Sequence, residues 1–192
     1  MPTLNILYHP AVQSLVLPPL LAWLGVLLLR ALAGARWAPL GAALGLLAAL
    51  AALPGFDWPA LSRVQKLPWL VLVATVLAGA WLGLSPPGSG HRRLRGVALA
   101  AGLTMALLAL AAAAALGGSL LLAQLAVMLA ATTAVPGLWA WWRPASGLRV
   151  PLAALLPMLV GGLFVAFALF AAQQPGPGGR DDSDPYYTPQ WK

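Results

Sequence analysis

VALAAGLTMALLALAAAAALGGSLLLAQLAVMLAATTAVPGLWAWW, residues 97–142, contains no charged side chain in 46 positions. As one helix rising 1.5 Å per residue it would reach about 69 Å, more than twice the ~30 Å hydrocarbon core of a bilayer. The run must therefore turn back on itself. Gly117-Gly118-Ser119 is its strongest turn signal, and it divides the run into two apolar segments, 97–116 and 119–142.

The rest of the chain divides in the same way. Apolar stretches lie at 11–30, at 37–53 (extendable to 56), at 67–84, which stops at SPPGSG, and at 150–172. Each is close to the ~20 residues that a membrane helix requires. Over the whole chain 61% of residues are hydrophobic and 8% charged, with a mean hydropathy of +0.85. Soluble domains carry about 25% charged residues, and a sphere of this size has too little interior to hide so much apolar surface. The expected fold is an all-α integral membrane bundle of six transmembrane helices. Residues 1–172 form the membrane domain, and a Pro/Gly/Asp-rich tail occupies 173–192. The segment at 15–29 resembles a signal-peptide core, but no Lys or Arg precedes Arg30. It reads as a retained span.

Charge sets the expected orientation. Loops one, three and five hold Arg30, Arg36, Arg92, Arg93, Arg95, Arg143 and Arg149, against Arg63 and Lys66 in loop two: seven against two. The positive-inside rule puts the first group in the cytoplasm and both termini outside. Loop two, GFDWPALSRVQKLPW at 55–69, then faces outward. It contains Asp57, the only acidic residue in the first 180 positions. This carboxylate offsets Arg63 and Lys66 and can cap a short surface helix. No second carboxylate, serine–histidine pair or metal set stands beside it to make it catalytic. Nine arginines against two lysines, in a chain rich in Ala, Leu and Gly, point to a GC-rich bacterial genome and an inner-membrane location.

The same inventory excludes several functions. With no cysteine, disulfides, thiolate metal sites and cysteine nucleophiles are ruled out. The net charge of +7 is dispersed among loops, which argues against a nucleic-acid partner. Apart from Arg30, which ends the first stretch, no Asp, Glu, Lys, Arg or His falls inside an expected span, although ion and proton pathways ordinarily require one. Met105, Met128 and Met158 have no histidine beside them and read as packing residues, so no cofactor or metal is expected.

The remaining candidates are polar or small residues. Gln124 needs a partner in hydrocarbon, either a hydrogen bond between helices or a solute in a pore. Thr75, Thr104, Thr132 and Thr133 are the other polar groups in the spans. Gly41 and Gly45 in GAALG, and Gly79 and Gly83 in GAWLG, make flat stripes that suit internal packing or a docking partner helix; the AAAAALGG run at 111–118 reads likewise. Arg92, Arg93 and Arg95 in HRRLRG read as a topology anchor and a lipid-headgroup contact. Pro18-Pro19 and Pro157 are expected to bend their helices. In the tail, Tyr186, Tyr187 and Trp191 provide aromatic area of the kind that anchors interfaces. The function expected from this pattern is a non-catalytic accessory or scaffold subunit, embedded in the lipid bilayer with other membrane-protein subunits as partners. The alternative is a small permease or channel for a neutral solute or lipid.

Overall fold

Gly118 ends the first of the two helices cut from the long uncharged run. It adopts φ +79°, a backbone region that side chains with a Cβ rarely occupy. The Gly118 N–H donates to the Ala115 carbonyl at 3.1 Å and the Ser119 N–H to the Ala114 carbonyl at 2.9 Å. This crossed pair satisfies carbonyls that the helix end leaves without partners. Gly34, at φ +88°, ends the first helix in a related way, its N–H donating to the Arg30 carbonyl at 3.1 Å.

The structure is a computed structural model that describes residues 16–52, 66–84, 93–143 and 150–173. It is all-helical over these residues, with six helices: α1 Leu17–Ala33, α2 Leu40–Ala52, α3 Leu67–Leu84, α4 Arg93–Leu116, α5 Leu120–Trp142 and α6 Leu152–Gln173. Each is apolar on all sides, as suits a helix in lipid or at the centre of a bundle. Four of them, α3 to α6, are long and apolar enough to cross a membrane. Helix α1 has 17 residues and α2 has 13, or roughly 26 and 20 Å. The expected span at 37–53 is thus shorter as a helix, because the chain turns through residues 35–39 before α2 begins.

Two proline expectations resolve differently. Pro18 and Pro19 do not bend a helix: α1 begins at Leu17, and the prolines lie in its first turn. N–H groups there have no acceptor within the helix, so their loss is harmless. Pro157 lies inside α6, and Pro136, which sequence reading passed over, lies inside α5. Both helices continue through their proline.

Three helices make the centre. α2, α5 and α6 each touch the other two, and every outer helix covers one of the seams between them: α1 over α2 and α5, α3 over α2 and α6, α4 over α5 and α6. The helices alternate in direction. At one end Leu29, Trp37, Leu40, Leu82, Ala153 and Ala154 pack together, which joins the C-termini of α1 and α3 to the N-termini of α2 and α6. Gly96 of α4 lies against Val150 there. At the opposite end Gly117 lies near the Gln173 amide nitrogen.

Glycine sets how closely these helices approach. A Cβ placed on Gly41 would land on the Gly25 carbonyl, and one placed on Gly45 would land on the Leu21–Ala22 peptide. Helices α1 and α2 therefore pack backbone against backbone. Gly161 and Gly162 of α6 admit Leu129 of α5 and Leu107 of α4, whose methyl groups would lie 2.8 and 2.7 Å from an added Cβ.

Gly41→Ala is expected to force α1 and α2 apart and destabilise the fold by about 1–3 kcal/mol, measured by SDS titration in mixed micelles. Gly102, with nothing within 4 Å of an added Cβ, is the control. Gly102→Ala should be neutral or stabilising by up to about 1 kcal/mol, because alanine is the better helix former.

Candidate functional site

The two ends of the bundle differ in charge. Four of the five described basic side chains gather at one end: Arg30 in the last turn of α1, Arg36 in the following loop, Arg95 in the first turn of α4, and Arg143 at the end of α5; the side chain of Arg93 is not among those described. Lys66 stands alone at the other, just before α3. Every charged side chain among the described residues is basic. Across the whole chain eleven basic residues face four acidic ones, so at least seven lack a carboxylate of their own (11 − 4 = 7).

Helix termini account for part of this pattern. The C-termini of α1, α3 and α5 all lie at the arginine-rich end, and each C-terminus presents unpaired carbonyls and a partial negative charge. Arg30 serves α1 and Arg143 follows the last residue of α5. Arg36 reaches across from its loop to donate to the Leu82 carbonyl in the last turn of α3. Sequence reading gave Arg36 only a topological role, because the helix it serves lies 46 positions away.

Near the same end, α1 and α5 meet through tryptophans. The ring centroids of Trp23 and Trp139 lie 5.9 Å apart with planes inclined by 35°. The Arg143 guanidinium carbon lies 6.0 Å from the Trp139 ring centroid, at the outer limit of a cation–π contact. The Trp139 indole N–H is buried and has no hydrogen-bond acceptor among the described residues. LWAWWRP is legible as a headgroup belt, but its pairing with Trp23 requires the three-dimensional register of α1 and α5.

The threonines within the helices are occupied. The hydroxyls of Thr75, Thr104, Thr132 and Thr133 donate to the carbonyls of Val71, Ala100, Met128 and Leu129, four residues earlier, at 2.6–2.8 Å. Each thereby satisfies its own donor without a partner helix or a solute. Gln124 is half-buried in α5, four residues from its first residue. That is only about 6 Å along the axis, near the end of the helix and away from its middle.

The two glycine pairs have separate fates. Gly41 and Gly45 are buried against α1. Gly79 and Gly83 face the start of α2, where an added Cβ would lie 4.0 Å from Leu40 and 3.6 Å from Trp37. Neither glycine of this second motif makes a close backbone approach. The outward small-residue face lies elsewhere, on α4, the least buried of the four long helices. Ala98, Gly102, Ala106, Ala109 and Ala113 are exposed, with the larger Leu99, Met105 and Leu108 beside them, and the buried positions Gly96, Ala100, Leu107, Ala111 and Ala114 lie on the opposite side. By contrast, the outer faces of α1 and α3 present large side chains, among them Leu20, Leu24 and Leu28, and Val73, Val76 and Leu77.

Asp57, Arg63, Arg92, His9, His91, Tyr186, Tyr187 and Trp191 lie outside the described residues. Among the described residues no group of three or more His, Cys, Asp or Glu is assembled.

Arg36→Gln should loosen the last turn of α3, seen as faster amide hydrogen exchange there. The charged hydrogen bond is partly exposed, which keeps the loss of stability to about 1 kcal/mol. Exchange unchanged in that turn would show the arginine to be dispensable as a cap.

Comparison with known protein families, with curated proteins and with solved structures gives no match.

Proposed function

We propose that the chain is a non-catalytic accessory or scaffold subunit of a larger bacterial inner-membrane complex. The observation that carries this reading is the outward face of α4. Lipid has no preference for small side chains, whereas a partner helix does, because alanine and glycine allow close approach and extended van der Waals contact. A stripe at positions 102, 106, 109 and 113, spaced four, three and four, follows the seam repeat of packed helices. The occupied threonines support the same reading, since they leave few polar groups to line a solute path. Gln124, near a helix end, is poorly placed for a mid-membrane binding site.

In this reading all six helices cross the membrane, with the arginine-rich end in the cytoplasm and both termini outside. The short α2 is compatible with this arrangement because it is enclosed by α1, α3, α5 and α6 and need not match the hydrocarbon thickness itself. The tail beyond Gln173, with Tyr186, Tyr187 and Trp191, provides a second anchor on the outer face.

Orientation is directly testable because the chain has no cysteine. A membrane-impermeant thiol reagent added outside intact cells should label Ser119→Cys and leave Ala35→Cys unlabelled until the membrane is opened. The reverse pattern would invert the topology.

The subunit reading is tested by extracting the protein from its native membrane in mild detergent and measuring the mass of the particle that carries it. A particle containing other polypeptides is expected, weakened by truncation after Ala172 and by Ala106→Leu together with Ala109→Leu on α4. A monomer or small homo-oligomer, indifferent to both changes, would overturn the reading and leave the small permease as its replacement.

A further inference from the structure

We infer that the arginine-rich end of the α1–α5 seam is a seat for one anionic phospholipid, held by Arg30 and Arg143 over the Trp23–Trp139 pair. The inference rests on the membrane reading but not on the subunit reading, and the purified chain alone tests it.

Register brings the four residues together. Helices α1 and α5 are packed neighbours that run in the same direction, and Trp23 meets Trp139 at 5.9 Å. Arg30 follows Trp23 by seven residues, two helical turns, and so projects from the same face about 10 Å nearer the end of α1. Arg143 follows Trp139 by four residues and ends α5 with its guanidinium near that ring. Two cations on adjacent helices thus flank one aromatic contact.

The chemistry of the seat matches a phosphodiester joined to acyl chains. Guanidinium groups bind phosphate oxygens through paired N–H donors. Arg30 and Arg143 each take part in other interactions, and a guanidinium carries five donors in a planar fork that can be shared with a phosphate. Below the arginines Trp23 is 47% exposed, an apolar wall for the first part of an acyl chain. Helix-dipole complementation explains why an arginine sits at each C-terminus. It does not account for the tryptophan pair between two of them.

The test counts lipids retained by the delipidated full chain in neutral detergent, by native mass spectrometry, during titration with phosphatidylglycerol or phosphatidylcholine. At about one kcal-scale increment per arginine near an anionic headgroup, the expected preference for phosphatidylglycerol is about thirtyfold. Arg30→Gln with Arg143→Gln should abolish it. Arg30→Lys with Arg143→Lys should keep most of it, which separates charge loss from misfolding, and Arg95→Gln should leave it unchanged. A preference that survives the glutamine pair, or falls equally with Arg95→Gln, would replace the seat with a diffuse field and overturn the inference. Displacement of the lipid by millimolar inorganic phosphate would overturn it too, marking a site for free anions.

Discussion

Helices α1 and α2 touch through backbone, and that contact fixes α2 as one of the three central helices. When Gly25 and Gly41 face each other with no Cβ between them, two helices of modest length gain an interface denser than side chains alone would give. In lipid, where apolar side chains gain little from leaving the solvent, such close packing is a main source of helix association. The pair then presents α2 as a central helix, and α5 and α6 close the centre against it. Gly161 and Gly162 repeat the device on α6, where the missing side chains admit Leu129 from one neighbour and Leu107 from another.

The same economy governs polar groups. A helix interior satisfies its own backbone, and the four described threonines add their hydroxyls to carbonyls of their own helix. Unmet demand is left at helix ends, and there the chain uses two solutions. Glycines with positive φ turn the backbone so that its own N–H groups reach the last carbonyls of α1 and α4. Arginines serve where three C-termini gather, with Arg36 reaching the end of a helix other than its own.

How much of this was legible in the sequence follows from the range of each interaction. The division of residues 97–142 into two helices was readable because length and a Gly-Gly-Ser signal are local properties, and α4 and α5 meet at Leu116 and Leu120 accordingly. Which face of each helix turns inward was not readable. The helices are apolar all round, so periodicity marks no side, and the two GxxxG motifs look alike although only Gly41 and Gly45 make a backbone contact. The outward stripe on α4 was hidden by composition, since alanines fill both its faces. Gln124 drew attention by its chemistry, and its place near a helix end depends on where α5 begins.

Charge asymmetry and packing asymmetry are independent features of this molecule, and they point to different neighbours. The arginines gather at one end of the bundle, where the proposed lipid seat would bring a phosphate to them. The small residues of α4 lie along the membrane-facing side, where charge has no role and shape decides. A protein that only anchored itself in lipid would have no use for the second feature, and one that only docked to a partner helix would have no use for the tryptophan pair beneath Arg143. Because the two features lie on different helices, α4 for the one and the α1–α5 seam for the other, the proposed lipid and the proposed partner would not compete for surface.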